Sequence, residues 1–244
     1  MTKKQKVSRR KFLMTSSGLA AGSVLAVGSA EARRGGATKT KTTIRSGLQT
    51  GKPVPLRYSS IPGFLSAKQL APHFSAHYGG ALRGYVSLDS QLETSSQSST
   101  TIDASAYATM QRGRSKKANS VLLHELYFGG MSLAKSSAKA EVRSAIVKRF
   151  GSMEKWAADF QACAKSASGW AMLAYHSVNK KMYNVVSDGH ANGVLWMSTP
   201  LVVIDMYEHA YYLDYKNDKG RYIHSYMNHI DWRVVNARCI AASA

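Results

Sequence analysis

The sequence predicts an α+β fold: an N-terminal α-helical hairpin followed by an α/β domain with a small antiparallel sheet. Three observations lead to it. Apolar residues recur at helical spacing in two early segments, "LSAKQLAPHFSAHYGGALRGYVSLDSQL" and "ANSVLLHELYFGGM", with a polar stretch between them. From about residue 138 two helical patterns give way to two strand-like runs, "GWAMLAYHS" and "KMYNVVSD", around the turn "VNKK". A third short apolar run, "TPLVVIDM", then leads into "YEHAYYLDY" and a terminal helical segment, "GRYIHSYMNHIDWRVVNARC".

Taken in order, the first 32 residues stand apart from the fold. "SRRKFLM", the apolar "SSGLAAGSVLAVGSA" and then "AEA" read as a twin-arginine export signal, with Arg9 and Arg10 as the pair. The apolar stretch falls short of the ~20 residues a membrane helix needs and is rich in Gly, Ser and Ala. A chain cut after Ala32 keeps 27 basic and 13 acidic residues and a net charge of +14. That route implies a periplasmic or secreted protein with no transmembrane segment in its mature form. Residues 33–58 are basic, polar and rich in Gly and Thr, the composition of a flexible leader.

The helical hairpin is expected over 59–135. Ser66 stands where an N-cap belongs, and Leu70, His73, His77 and Leu82 fall near one face. Residues 94–118 read as a polar Ser/Thr connection ending in positive charge, and the second helix starts at "ANSVLLHELYFGGM". The α/β domain is expected over 136–244, with helices at "KAEVRSAIVKRFG" and "SMEKWAADFQACAKSA" before the strands.

The chain of 244 residues is 44% hydrophobic, enough for a real core, and its net charge of +19 raises nucleic acid, anionic envelope polymers or a small anionic substrate as partners. No aromatic-plus-basic motif or glycine-rich phosphate cradle supports specific nucleic-acid binding. "DYKNDKG" is no calcium loop, because Lys216 occupies an oxygen position and no Glu closes it. Cys163 and Cys239, with no CxxC spacing, indicate neither a thiolate zinc site nor a disulfide scaffold. One disulfide and two free thiols both remain open.

Chemistry concentrates in "DMYEHAYYLDY". Asp205 and His209 are four apart, a spacing that on a helix puts both on one face, where they could grip a metal ion. His73, His77 and His124 are the residues that could join them. Three neutral imidazoles with one carboxylate suit a redox-active first-row metal such as iron or manganese.

These residues resemble the iron/manganese superoxide dismutase family from about Leu65 to Arg238. "PLVVIDMYEHAYYLDYKNDKGRYIHSYMNHIDW" is similar to the family's C-terminal signature, "FGSMEKWAADF" and "SGWAMLAY" to the stretch through its first strand, and "NSVLLHELYF" to the helix carrying its second histidine ligand. The resemblance implies superoxide disproportionation at one Fe or Mn ion per subunit, held by His73, His124, Asp205 and His209. Two registers compete for the first ligand. In one, His73 binds and His77 stands behind it. In the other, His77 binds and Tyr85 supplies an active-site tyrosine. The resemblance further implies His190 as the residue that holds metal-bound solvent, Trp170 and Tyr207 as walls of the site, and a homodimer in which Glu208 and Tyr212 reach the partner subunit. The sequence departs from the pattern at Ala81, where a gateway Tyr is usual, at Ser120, where iron enzymes often have Gln, and at Tyr207, the Trp of the usual "WEH". A second class of function stays open: an exported basic protein on the same fold that binds envelope polymers or other polyanions and turns over little or no superoxide.

Overall fold

The structure, a computed structural model, describes residues 45–98, 101–193 and 195–244. The export signal and the leader as far as residue 44 lie outside the described residues. Helix α1 (Gly47–Thr50) comes first, then α2 (Ala67–Pro72), a π-helical turn (His73–Tyr78), α3 (Gly79–Gln97) and α4 (Ala104–Gly129). Helices α5 (Ala140–Phe150) and α6 (Met153–Ser166) precede strands β1 (Trp170–His176), β2 (Lys181–Ser187) and β3 (Ser198–Asp205). A single 3₁₀ turn (Glu208–Ala210), α7 (Tyr212–Tyr215), α8 (Lys219–Asn228) and α9 (Trp232–Ser243) complete the chain. This is the helical region followed by an α/β domain that the sequence predicts. The sheet has the order β2-β1-β3, and both pairings are antiparallel.

Four details differ from the sequence reading. The second half of the expected leader, Arg45–Tyr58, is packed rather than loose. Ser46 caps α1, Val54 is buried, the Gly47 N–H donates to Glu125 Oε1 at 2.8 Å, and the Val54 N–H donates to the Tyr78 hydroxyl at 2.8 Å. Composition hid this because a few anchoring residues suffice to tie down a polar strap. Second, the polar stretch 94–118 is mostly helix. Asp103 caps α4 by accepting from the Ala106 N–H at 2.7 Å, and the basic run "RGRSKK" lies inside that helix. Helices α3 and α4 approach closely where side chains are missing: a Cβ on Gly84 would meet Lys117 at 3.0 Å, and one on Gly113 would meet Leu88 at 3.1 Å.

Third, Asp205 and His209 share no helix, since Asp205 ends β3 and His209 sits in the 3₁₀ turn. Fourth, the terminal helix is two helices. Asp231 accepts from the backbone N–H groups of Arg233 and Val234 and starts α9, breaking the run at His229–Asp231. Cys163 and Cys239 are free thiols, so the open question of a disulfide closes in favour of two separate sulfurs. Among the described residues, no helix is long and apolar enough to cross a membrane.

Candidate metal centre

Four segments far apart in sequence each bring one group to a common point. Helix α2 is started by Ser66, whose hydroxyl accepts from the Gln69 N–H at 3.2 Å, and it passes at Pro72 into the π turn. That turn carries His73 fully into the core and leaves His77 exposed. A π turn is a frequent accompaniment of functional sites because it re-aims side chains within an otherwise regular helix. His124 lies on the half of α4 that is buried almost without break from Ser120 to Gly129. Asp205, wholly buried, ends the apolar run of β3, and its Oδ1 accepts from the Tyr207 N–H at 3.0 Å. His209 follows in the 3₁₀ turn, whose carbonyl at His209 accepts from Gln69 Nε2 at 2.5 Å.

One candidate ligand atom from each of His73, His124, Asp205 and His209 lies within 4.8 Å of the other three. Asp205 Oδ2 is the hub: His73 Nε2 is 3.1 Å from it, His209 Nε2 3.4 Å and His124 Nε2 3.8 Å. Burial disfavours the imidazolium of His73 and lowers its pKa, and burial likewise brings His124 down to about 3. For Asp205, burial alone would raise the pKa. The His209 ring, 3.4 Å away, and the hydrogen-bonded His73 ring outweigh it and hold the carboxyl below the usual carboxylate range. The centre thus sets an anion against the neutral rings of His73 and His124.

The protons decide what such a centre can hold. His124 Nδ1 is 2.7 Å from the Ser120 carbonyl oxygen, which can only accept, so Nδ1 carries the ring's one proton. Its Nε2 then points a lone pair at the carboxylate, and it has no hydrogen-bond partner; His209 Nε2 lacks one as well. The His124 lone pair turned toward a buried anion is repelled by it unless a cation lies between them. Three nitrogens and one oxygen, with no thiolate, fit a first-row metal ion of the iron or manganese kind.

The surroundings are aromatic. Phe128 and Tyr127 lie 4.9 and 5.5 Å from the His73 ring, and Trp170 lies 5.1 Å from His124 edge-on. Tyr207 stacks on His209 at 5.3 Å, and His190 stacks on Tyr207 at 5.3 Å, so the loop histidine does reach the rim. Burial lowers the pKa of His190 and raises that of the Tyr207 hydroxyl, leaving both uncharged near neutrality. His77 lies outside the four-residue group, its exposed ring flat against that of His209 at 3.7 Å, and partial desolvation on that face together with the neighbouring His209 and His73 rings brings its pKa down to about 4. Tyr85 is not at the centre: its hydroxyl points to Asp89 Oδ2 at 3.4 Å. The four-residue group thus includes His73 and contains neither His77 nor Tyr85. Glu208 is exposed and Tyr212 is 44% exposed, on the same short segment as His209.

The family model for the C-terminal domain of iron/manganese superoxide dismutases matches residues 138–238. Superoxide dismutase (Mn) 1 of Halobacterium salinarum is 32% identical over 181 residues, covering 74% of this chain and 89% of that protein. The chain belongs to the iron/manganese superoxide dismutase family. A superoxide dismutase (Fe) of Cupriavidus metallidurans is 30% identical over 194 residues, 78% of this chain and 96% of that protein, and one of Aquifex pyrophilus is 32% identical over 178 residues, 71% and 84%. For a member of this family with this buried donor set, the centre is a site for one iron or manganese ion.

Sequence reasoning missed Gln69, Tyr78 and Glu125, which lock the ligand-bearing segments together. Gln69 had a readable signal, a polar residue one turn before a buried histidine and on its face. Glu125 had none, since a charged residue beside a ligand reads equally as solvated surface.

Proposed function

We propose that the protein disproportionates superoxide, two superoxide anions and two protons giving one dioxygen and one hydrogen peroxide, at a single iron or manganese ion held by His73, His124, Asp205 and His209. The observation that carries this is the convergence of one anionic oxygen and three imidazoles, with a partnerless His124 Nε2 lone pair aimed at Asp205. When bound, the ion supplies the one-electron exchange. The chain's own residues set its conditions. Asp205 offsets part of the cation's charge, and the Ser120 carbonyl fixes the His124 tautomer. Trp170, Tyr127 and Phe128 exclude water behind the ligands. His77, His190 and Tyr207 line the more open side, where protons must enter, and they sit against His209 or against each other. Net positive charge draws the anion inward with a gain that fades as salt rises.

The same reading takes the twin-arginine stretch as an export signal, places the mature chain in the periplasm or outside the cell, and pairs two chains through the face carrying Glu208 and Tyr212. Purified mature protein tests it by metal content together with inhibition of superoxide-driven cytochrome reduction. About one ion per chain with activity that disappears in His124→Ala is the expected result. Stoichiometric metal without activity would leave a basic polyanion-binding protein instead, and a His124→Ala variant with undiminished metal would reject the ligand set.

A further inference from the structure

Away from the metal centre, large apolar side chains stand in water where two loops meet. Trp196 is 88% exposed, Val178 69% and Met197 67%. Val178 belongs to the turn between β1 and β2, while Trp196 and Met197 belong to the loop entering β3. Ser177 fastens the two, donating both its backbone N–H and its hydroxyl to the Met197 carbonyl at 2.9 Å. Isolated exposed apolar residues are ordinary, but a contiguous tip of this kind marks a docking surface.

Charge surrounds the tip. Lys180, on the same turn as Val178, and Lys181, the first residue of β2, are exposed. On its other side Trp196 borders a surface depression shared with Arg114 and Ser115 of α4, within the run from Arg112 to Lys117. Asp89, which lines the same depression, is paired with Arg114 at 3.2 Å, so the uncompensated charge there comes from Arg112, Lys116 and Lys117. The pairing of β1 with β3 puts His176 opposite Ser198 and Trp170 opposite Asp205. Val178 and Met197 therefore lie beyond the end of the sheet remote from the metal centre, roughly 20 Å along β1 at about 3.3 Å per residue.

We infer that this tip docks on a bilayer surface bearing anionic headgroups, with Trp196, Met197 and Val178 entering the headgroup boundary and the flanking lysines and arginines meeting the negative charge. Tryptophan favours that boundary because its ring is largely apolar and its N–H is polar. An apolar tip flanked by cations, on a mature chain of net charge +14, complements an anionic membrane in both respects. The tip includes no residue of the metal centre and neither Glu208 nor Tyr212, so the inference stands apart from the proposed reaction.

The test uses the intrinsic fluorescence of the mature chain. Trp156, Trp170 and Trp232 are buried, which makes Trp196 the indole that senses a new surface. Vesicles containing phosphatidylglycerol should shift the emission to the blue and carry the protein in a flotation assay, whereas vesicles of phosphatidylcholine alone should bind at least tenfold less. Trp196→Ser should weaken flotation tenfold or more with metal content unchanged, and replacing Lys180 and Lys181 by Ser should flatten its salt dependence. Undiminished flotation of Trp196→Ser would reduce the attraction to charge alone and overturn the inference. It would be overturned equally if the wild type ignored the vesicles, or if Trp196→Ser instead abolished a self-association seen by light scattering.

Discussion

Gln69 is the perturbation that most directly tests how the fold holds its centre. The side chain is 1% exposed and spans two segments, giving an N–H to the His209 carbonyl at 2.5 Å and taking the Leu213 N–H at 3.0 Å. It thereby ties the helix that delivers His73 to the turn that delivers His209. Gln69→Leu keeps most of the volume and removes both bonds. Each bond contributes on the order of 1 kcal/mol net, and part-buried backbone groups left without partners add up to about 1 kcal/mol more, so a loss of roughly 2 to 3 kcal/mol follows. In a folded region of this size that corresponds to a fall in unfolding temperature of roughly 4 to 12 °C. Freeing the His209 turn should also weaken metal binding by about 10- to 100-fold, the usual cost of losing a residue that orients a ligand. Chelator competition measures the affinity, and thermal unfolding with and without metal measures the stability. Wild-type affinity together with a wild-type unfolding temperature in Gln69→Leu would refute the argument, and a defect confined to Gln69→Ala would assign the role to packing alone.

Tyr78→Phe should cost roughly 3 kcal/mol by removing the hydroxyl that donates to Glu125 at 2.9 Å and accepts from Val54, seen as a lower unfolding temperature and as faster protease cleavage within residues 45–58. In the metal-free protein, burial holds His124 at about 3 against 6.5 in the unfolded chain, so the unfolded state binds the extra proton; stability is full above pH 6.5 and declines as pH falls toward 3. That group alone contributes a loss of about 2 kcal/mol between pH 6.5 and 5, and denaturant unfolding that stays flat over this range would contradict it. Asp205→Asn, which removes the anion that faces the imidazoles among the described residues, should abolish retention of metal through dialysis while leaving the chain folded by circular dichroism.

Much of this architecture was readable from local pattern, and the exceptions have identifiable causes. The strands were legible because Trp170–His176 and Ser198–Asp205 are apolar, β-prone and bounded by turn residues. His124 was legible because its half of α4 is buried on nearly all sides. The π turn at His73–Tyr78 was not, since nothing in "HFSAHY" distinguishes five-residue from four-residue hydrogen bonding. The helical spacing drawn for Asp205 and His209 failed for a related reason: four residues can bring two groups together across a strand end and a tight turn as well as along a helix. The break at Asp231 could have been found, because an Asp before an apolar run is a helix start even inside an apparently continuous pattern.

What sequence periodicity does not carry is the set of long-range polar ties that make the convergence of ligands reproducible. Tyr222 donates to the Asp205 carbonyl at 2.8 Å and shares a hydrogen bond with Tyr127 at 2.9 Å, joining α8 to the strand end and to α4. Buried Arg238 reaches the Leu126 carbonyl at 3.0 Å and the Leu201 carbonyl at 2.9 Å, bridging the helix that bears His124 and the strand that bears Asp205. Gln69 performs the same service between His73 and His209. Apart from the Tyr222–Tyr127 hydroxyl pair, each tie ends on backbone two to four residues from a ligand, or on the ligand's own carbonyl, so it fixes where a ligand starts and leaves its ring or carboxylate free for the ion. Burying an arginine and several hydroxyls is costly unless nearly every donor is satisfied. That expense has a rationale in a centre whose four groups come from four separate elements, because an apolar core alone would hold those elements together without fixing their register to the tenths of an ångström that metal coordination demands.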